Sequence, residues 1–332
     1  MTALAPAVSR GGRPALASGI GFGVAVAVLA YLPFLLQTST TDTMVSFFIL
    51  LTLGVMWNLL AGYAGLVSVG QQAYVGLGAY ALLQWNDWGV QAYLAVPLAA
   101  LTCAAIAVPT SLLAFRLRGD YFAVGTWVIA EVYRLLVVRV DSWGGGSGRS
   151  LTTLSGLDQT VREAVTYWVA LAVAVVSLAG VYVLLRGRLG LALAAVRDDE
   201  VAAGGAGVRV GLAKRAAYLV AAAGCGAAGA VLLVSTLNVR PDSVFSVQWS
   251  AYMIFIVVIG GVGTLEGPVL GAIVFFTLQQ LLSDRGVWYL VLLGAVAIGA
   301  AVWQPRGLWG LVSARTPVRL FPVGYRVRED RK

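Results

Sequence analysis

Polar positions in this chain are confined to short intervals. Between them run apolar stretches at residues 17–36, 43–60, 72–85, 92–115, 120–138, 164–185, 215–237, 248–262, 268–282 and 287–303. Most approach the roughly 20 residues that a helix needs to cross a bilayer core, so the pattern predicts an all-α polytopic protein with ten transmembrane helices. The third, eighth and ninth stretches are short or bounded by glycines, which leaves a second count open: eight full spans with re-entrant pieces.

Composition points the same way. With 59% hydrophobic and 11% charged residues among 332 and a mean hydropathy of +0.85, the apolar surface is too large for one soluble core. The N-terminal run after Arg10 and Arg13 ends in PFLLQTSTTD, without a small-x-small cleavage pattern, and reads as a retained first span. The domain reading is therefore an N-terminal tail at 1–16, a membrane domain at 17–303 and a basic tail at 304–332.

The net charge of +8 lies in short loops rather than on one helix face, which argues for a topology signal and against nucleic acid. Arg10, Arg13, Arg116, Arg118, Arg186, Arg188, Arg197, Arg209, Lys214, Arg215, Arg306 and the basic tail fall on one side. Arg134, Arg139, Arg149, Arg162, Arg240 and Arg285 fall on or near the other. The heavier side is expected to be cytoplasmic, with both termini and the 186–215 loop inside. Loops 140–163 and 238–247 then lie outside. The first of these, rich in Gly, Ser and Thr, reads as a solvated connector or as a docking surface for an extracytoplasmic partner.

Two glycine-broken segments stand out, Asn58 to Tyr80 and Ile259 to Ala272, weakly similar to one another. Broken backbone at membrane depth must be buried in protein or line a wet cavity, and interrupted segments in both halves of a transporter point to its pathway. Close helix packing through small residues is the plainer alternative. Gly62, Gly65, Gly260, Gly261 and Gly263 mark the breaks. Asn58, Ser68, Gln71 and Gln72 supply polar groups that could line a route or bond across helices. Glu131 and Arg134 stand three apart on one face of the fifth stretch, either as a gate or, the favoured reading, as a locally satisfied pair.

Reactive chemistry is sparse. The chain has no histidine and two cysteines, Cys103 and Cys225, both within apolar runs, so no metal, cofactor or disulfide is expected. Neither lysine follows the glycine spacing of a phosphate-binding loop, and no nucleophile-base pair is available. An enzyme is not expected, and energy must come from another subunit. Its natural entry is the 186–215 loop, where Leu189, Leu193 and Val196 recur at helical spacing and are expected to meet a partner groove or the lipid surface.

Four blocks together resemble the membrane subunits of binding-protein-dependent ABC importers of the branched-chain amino acid permease family, over about residues 42–303. They are NLLAGYAGLVSVGQQAYVGLGAY from Asn58, RLRGDYFAVGTWVIAEVYRLL from Arg116, GRLGLALAAVRDDEVAAGGAGV from Gly187 and GGVGTLEGPVLGA from Gly260. The second block is similar to LivM-type subunits. The resemblance implies a type II-like importer permease in a bacterial inner membrane. It also implies a homologous LivH-type membrane partner, two ABC ATPase subunits and an extracytoplasmic solute-binding protein.

In that family the third block is the coupling loop held in a cleft of the ATPase. Glu200, Ala202, Ala203 and Gly207 fall on its Glu-x-Ala-Ala-x-x-x-Gly pattern, and Arg197 and Asp198 match the Arg-Asp step before it. Three departures stand out: Gln71 replaces a frequent histidine, Glu266 occupies a variable position, and Gly144 to Gly148 replace a Thr-Gly-Gly-Ser run. Amino acid import is the primary expectation. Import of urea, amides or another small solute and a stand-alone channel are the alternatives.

Overall fold

Apolar length dictates the architecture, since a backbone in lipid must satisfy its own hydrogen bonds and does so as helix. The computed structural model describes residues 7–9, 13–34, 38–154, 156, 158–282, 288–304, 306–315, 321 and 326–328. Arg10, Arg285, Leu36 and about half of the 304–332 tail lie outside the described residues.

The apolar helices are α1 (Arg13–Tyr31), α2 (Thr38–Asn58), α3 (Gln72–Asp87), α4 (Ala92–Ala114), α5 (Asp120–Val138), α6 (Gln159–Arg186), α9 (Val210–Thr236), α11 (Val247–Gly260), α12 (Glu266–Leu282) and α13 (Trp288–Trp303). Between α6 and α9 lies a hairpin of α7 (Arg188–Asp198) and α8 (Glu200–Gly205); a single turn, α10 (Pro241–Val244), precedes α11, and α14 (Gly307–Arg315) follows α13. Among the described residues six segments are long and apolar enough to cross a membrane, including Thr40–Tyr63 and Pro241–Gly260, and Ile20–Phe34 and Glu266–Leu282 are shorter apolar helices. The protein is thus an all-α membrane protein.

Helix α6 starts at Gln159, earlier than its apolar stretch, because the Asp158 side chain accepts the Thr160 N–H and caps it. Hydrophobicity alone does not see that polar first turn.

The core lies where α2, α3 and α9 meet, flanked by α4, α6, α11 and α12. Small residues set its spacing: a Cβ on Gly78 would lie 2.0 Å from the Gly226 carbonyl oxygen, and one on Gly229 1.9 Å from that of Val75. Such approaches replace the hydrophobic driving force that lipid does not supply between helices. Helix α5 stands apart, with 22% of its apolar window buried and Tyr121, Val124, Trp127, Val128, Leu135 and Leu136 facing outward.

The two expected outer loops lie together at the end of the bundle opposite the hairpin. Strands β2 (Arg149–Ser150) and β3 (Asn238–Val239) pair antiparallel, and Arg149 grips the Asp87 carboxylate through both terminal nitrogens at 2.6 and 2.7 Å. Leu151 and Leu154 are buried beneath them. The 140–163 segment is therefore a folded cap rather than a solvated connector, because its apolar residues have a floor to pack on. At the hairpin end, strands β1 (Ala7–Ser9) and β4 (Arg326–Arg328) pair, and Phe321 rests edge-on against Phe22 and Tyr182.

Candidate functional site

Glycine interrupts α2 before it can continue into α3. After Asn58 the helix widens into a π turn over Leu59–Tyr63, a distortion frequent at functional sites, and then runs without regular structure from Gly65, whose φ is +68°, to Gly70. The break folds back on protein. Trp57 Nε1 donates to the Ser68 carbonyl at 2.8 Å, and the Val69 N–H donates to Thr126 Oγ1 at 3.2 Å. Ser68 Oγ accepts from the Gly70 N–H at 3.3 Å and from Gln71 Nε2 at 3.4 Å. The Cys225 thiol reaches Gln71 Oε1 at 3.5 Å, and the Ser250 hydroxyl donates to Gln72 Oε1. Asn58, Ser68, Gln71 and Gln72 are all buried; Asn58, Gln71 and Gln72 bond to other elements, whereas Ser68 Oγ bonds within its own segment.

The second break separates α11 from α12. Gly261 and Gly263 have φ of +128° and +76°, backbone that favours glycine. Thr264 Oγ1 accepts the Gly267 N–H at 3.1 Å and donates to the Gly261 carbonyl at 2.9 Å, closing the start of α12. Glu266 in its first turn is buried and accepts the Phe321 N–H at 2.9 Å; a carboxylate there also suits the positive helix terminus.

These two segments, some two hundred residues apart in sequence, meet. Asn58 Nδ2 donates to the Thr264 carbonyl at 2.7 Å, and Asn58 Oδ1 accepts the Gly263 N–H at 2.9 Å. One amide thus satisfies two backbone groups of the opposite break. Contact is possible only at glycine, since a Cβ on Gly62 would lie 2.5 Å from the Gly263 nitrogen. The α11–α12 crossing is as tight: a Cβ on Gly271 would lie 1.8 Å from the Ile256 carbonyl oxygen. Gly271→Ala is therefore expected to destabilise the protein by more than the usual 1–3 kcal/mol, roughly, of overpacking. Gly204→Ala, which meets open space, should leave stability unchanged. Thermal unfolding of both variants in detergent checks this.

The α7–α8 hairpin lies against this junction. Arg197 Nη1 donates to the Gly62 carbonyl at 3.1 Å, while Nε and Nη2 hold Asp198 Oδ1 at 3.1 and 3.0 Å. Asp199 caps α8, its Oδ1 accepting the Val201 and Ala202 N–H groups, each at 2.9 Å. Glu200 pairs with Lys214 at 2.5 Å, tying α8 to α9. The hairpin closes at Gly207, whose φ of +86° lets the Val208 N–H return to the Ala203 carbonyl at 3.0 Å.

The hairpin's apolar side corrects one expectation. Leu193 and Val196 are buried in the bundle, and of the three only Leu189 is exposed. Their stripe anchors the hairpin rather than meeting a partner. Ala203 is turned inward as well, at 4% exposure, whereas Val201 is 86% exposed and Ala202, Gly204 and Gly205 flank it on the open face. Val201 and the Asp199 cap were missed by sequence reasoning. An Asp before a run of small helix formers is the signal that could have marked the cap.

Glu131 and Arg134 lie away from this junction, on the outward face of α5. Arg134 grips Glu131 at 2.6 Å and reaches a third group, Asp242 beside the outer cap, also at 2.6 Å. Side-chain exposures are 48% for Glu131 and 26% for Arg134, and on an apolar helix long enough to span a membrane pairing offsets part of the cost of placing each charge there. Asp242 makes exchange of the pair a test of the cluster: Glu131→Arg with Arg134→Glu keeps the pair but sets a carboxylate against Asp242. Transport by the exchanged pair should remain below wild type until Asp242→Asn is added, and recovery without that third change would exclude the cluster. Among the described residues no group of three or more Cys, Asp or Glu could hold a metal.

The family model described as branched-chain amino acid transport system, permease component, matches residues 39–301. The high-affinity branched-chain amino acid transport system permease protein LivM of Escherichia coli (strain K12) is 31% identical over 315 residues, covering 86% of this chain and 74% of that protein. The protein of the same name from Salmonella typhimurium is 31% identical over 305 residues, covering 83% and 71%. No solved structure matches the chain.

Proposed function

Since the chain belongs to the branched-chain amino acid transport permease family, and is a transport component of a membrane rather than an enzyme, we propose that it is the LivM-type membrane subunit of an ATP-driven importer for branched-chain amino acids. Ten helices cross the bacterial inner membrane in this reading, in a type II-like arrangement. Both termini and the α7–α8 hairpin are cytoplasmic. A LivH-type subunit completes the membrane pair, two ABC ATPases supply energy, and an extracytoplasmic binding protein delivers the solute to the cap formed by loops 140–163 and 238–247.

The observation that carries the reading is the α7–α8 hairpin. It offers an open face of small residues around Val201, a shape suited to insertion into a cleft, while its inner side is fixed by Leu193, Val196, Ala203 and the Lys214–Glu200 pair. A force applied there reaches two membrane breaks through Arg197. Rigid-body displacement by ATPase closure is a known mode of transmission. The outward apolar face of α5 is where the LivH-type partner packs in this account, with the solute path between the two subunits.

Proteoliposomes test the proposal. Labelled leucine should accumulate against its gradient only when both membrane subunits, the ATPases, ATP and the binding protein are present. Accumulation of urea or short amides in its place would reassign the solute. Passive flux through this chain alone would favour a channel.

A further inference from the structure

The Arg197 guanidinium occupies a three-way junction. It lies at the end of α7, its Nη1 hydrogen-bonds the Gly62 carbonyl at 3.1 Å, and the same nitrogen lies 3.5 Å from where a Cβ on Gly263 would stand. Its own Cα and Cγ are each 3.5 Å from the Cβ position of Gly65. One side chain therefore borders the corner between α7 and α8, the first break at Gly62 and Gly65, and the turn of the second at Gly263. Gly62 is in the last turn of a helix that does not continue, so its carbonyl has lost its intrahelical partner. A charge-assisted bond from a guanidinium is the strong way to replace it.

Asp198 completes the device. By accepting from Nε and Nη2 it fixes the plane of the guanidinium and leaves Nη1 pointing at Gly62. Asn58 then carries the connection across to Gly263 and Thr264. One hydrogen bond joins the hairpin to the first break and two join the first break to the second, with the backbone of the π turn between Asn58 and Gly62 linking them. Among the described residues the hairpin is also held by apolar packing, part of it from α7 onto the π turn of the first break, and by the Lys214–Glu200 pair.

Resting on the proposed importer reading, we propose that Arg197 is the positioning residue that transmits movement of the α7–α8 hairpin into the crossing of the two broken segments, with Asp198 orienting it. Its removal uncouples ATP turnover from solute movement rather than detaching the ATPase.

The test uses the complete transporter in proteoliposomes, with leucine uptake and ATP hydrolysis read in the same vesicles and thermal unfolding of the complex read in detergent. Arg197→Met should retain its ATPase subunits and hydrolysis rate and lose only a little unfolding temperature, through the unpaired Gly62 carbonyl, while leucine moved per ATP falls about tenfold, within the ordinary range of coupling between sites. Arg197→Lys should recover part of the ratio, since an ammonium can still donate to Gly62 but cannot span Asp198 in the same fork. An unchanged ratio in Arg197→Met overturns the inference, as does a loss of uptake that tracks unfolding or loss of the ATPase. Val201→Arg separates the two layers. Normal ATPase attachment in that variant sinks the docking role of the α8 face, absence of ATP-dependent leucine uptake by the unmodified complex sinks the importer reading itself, and lost attachment together with an unaltered Arg197→Met ratio sinks only the role of Arg197.

Discussion

Leucine in place of Asn58 is expected to abolish transport and to lower the unfolding temperature of the protein. Asn58 is buried, and its amide is the partner of both the Gly263 N–H and the Thr264 carbonyl. Leucine has the same branching, with somewhat bulkier methyl groups where the amide had its oxygen and nitrogen, so both bonds disappear without a cavity being opened. Each backbone group left without a partner costs about 1–3 kcal/mol, and a dry membrane interior offers no water to replace it. Asn58→Asp is the sharper variant. It preserves shape and one acceptor for Gly263, yet sets a second carboxylate oxygen against the Thr264 carbonyl, so it should fare no better than leucine. Uptake in proteoliposomes and thermal unfolding in detergent provide the measurements. Wild-type values for both substitutions would mean that the two breaks are not joined through this amide.

Arginine at Val201 is expected to have the second largest effect, of the opposite kind: folding intact and energy supply lost. Val201 is 86% exposed in the first turn of a short helix whose N-terminus is already served by Asp199, so the new side chain meets only solvent in the isolated subunit. In an ATPase cleft it brings an unpaired cation and several extra heavy atoms into a contact made by small residues, and burying a charge without a partner costs several kcal/mol, roughly. ATPase subunits should no longer copurify with the membrane subunits, and ATP-driven leucine uptake should fall to background. The unfolding temperature of the membrane subunit should be unchanged. Gly205→Ala, which meets open space, should be tolerated far better.

Different parts of this account were legible in the sequence for different physical reasons. Helices were legible because bilayer thickness imposes a length on apolar runs, and the predicted limits of α5 and α12 lie within a few residues of those observed. The two breaks were legible because glycine clusters interrupt apolar runs in few other ways. Their meeting was not, since the Asn58 bonds to Gly263 and Thr264 join residues 205 and 206 apart, and periodicity reports only local order. Direction was the other blind point. Leu193, Val196 and Ala203 carry the right spacing for a contact face, but spacing does not say whether that face turns toward the bundle or away. Arg134 was legible as a partner of Glu131 on one helix, whereas Asp242 required the outer segment to fold back over α5.

The central claim, that an ATPase subunit engages the open face of α8, can be read with one chemical bond. Cys103 and Cys225 are both fully buried, so Val201→Cys adds a single accessible thiol to this chain. With a short bifunctional reagent in inverted membrane vesicles, that thiol should cross-link to an ATPase subunit, while Leu136→Cys on the outward face of α5 should not. Absence of any ATPase adduct at Val201, or labelling of that thiol from outside intact cells by a membrane-impermeant maleimide, would contradict the account.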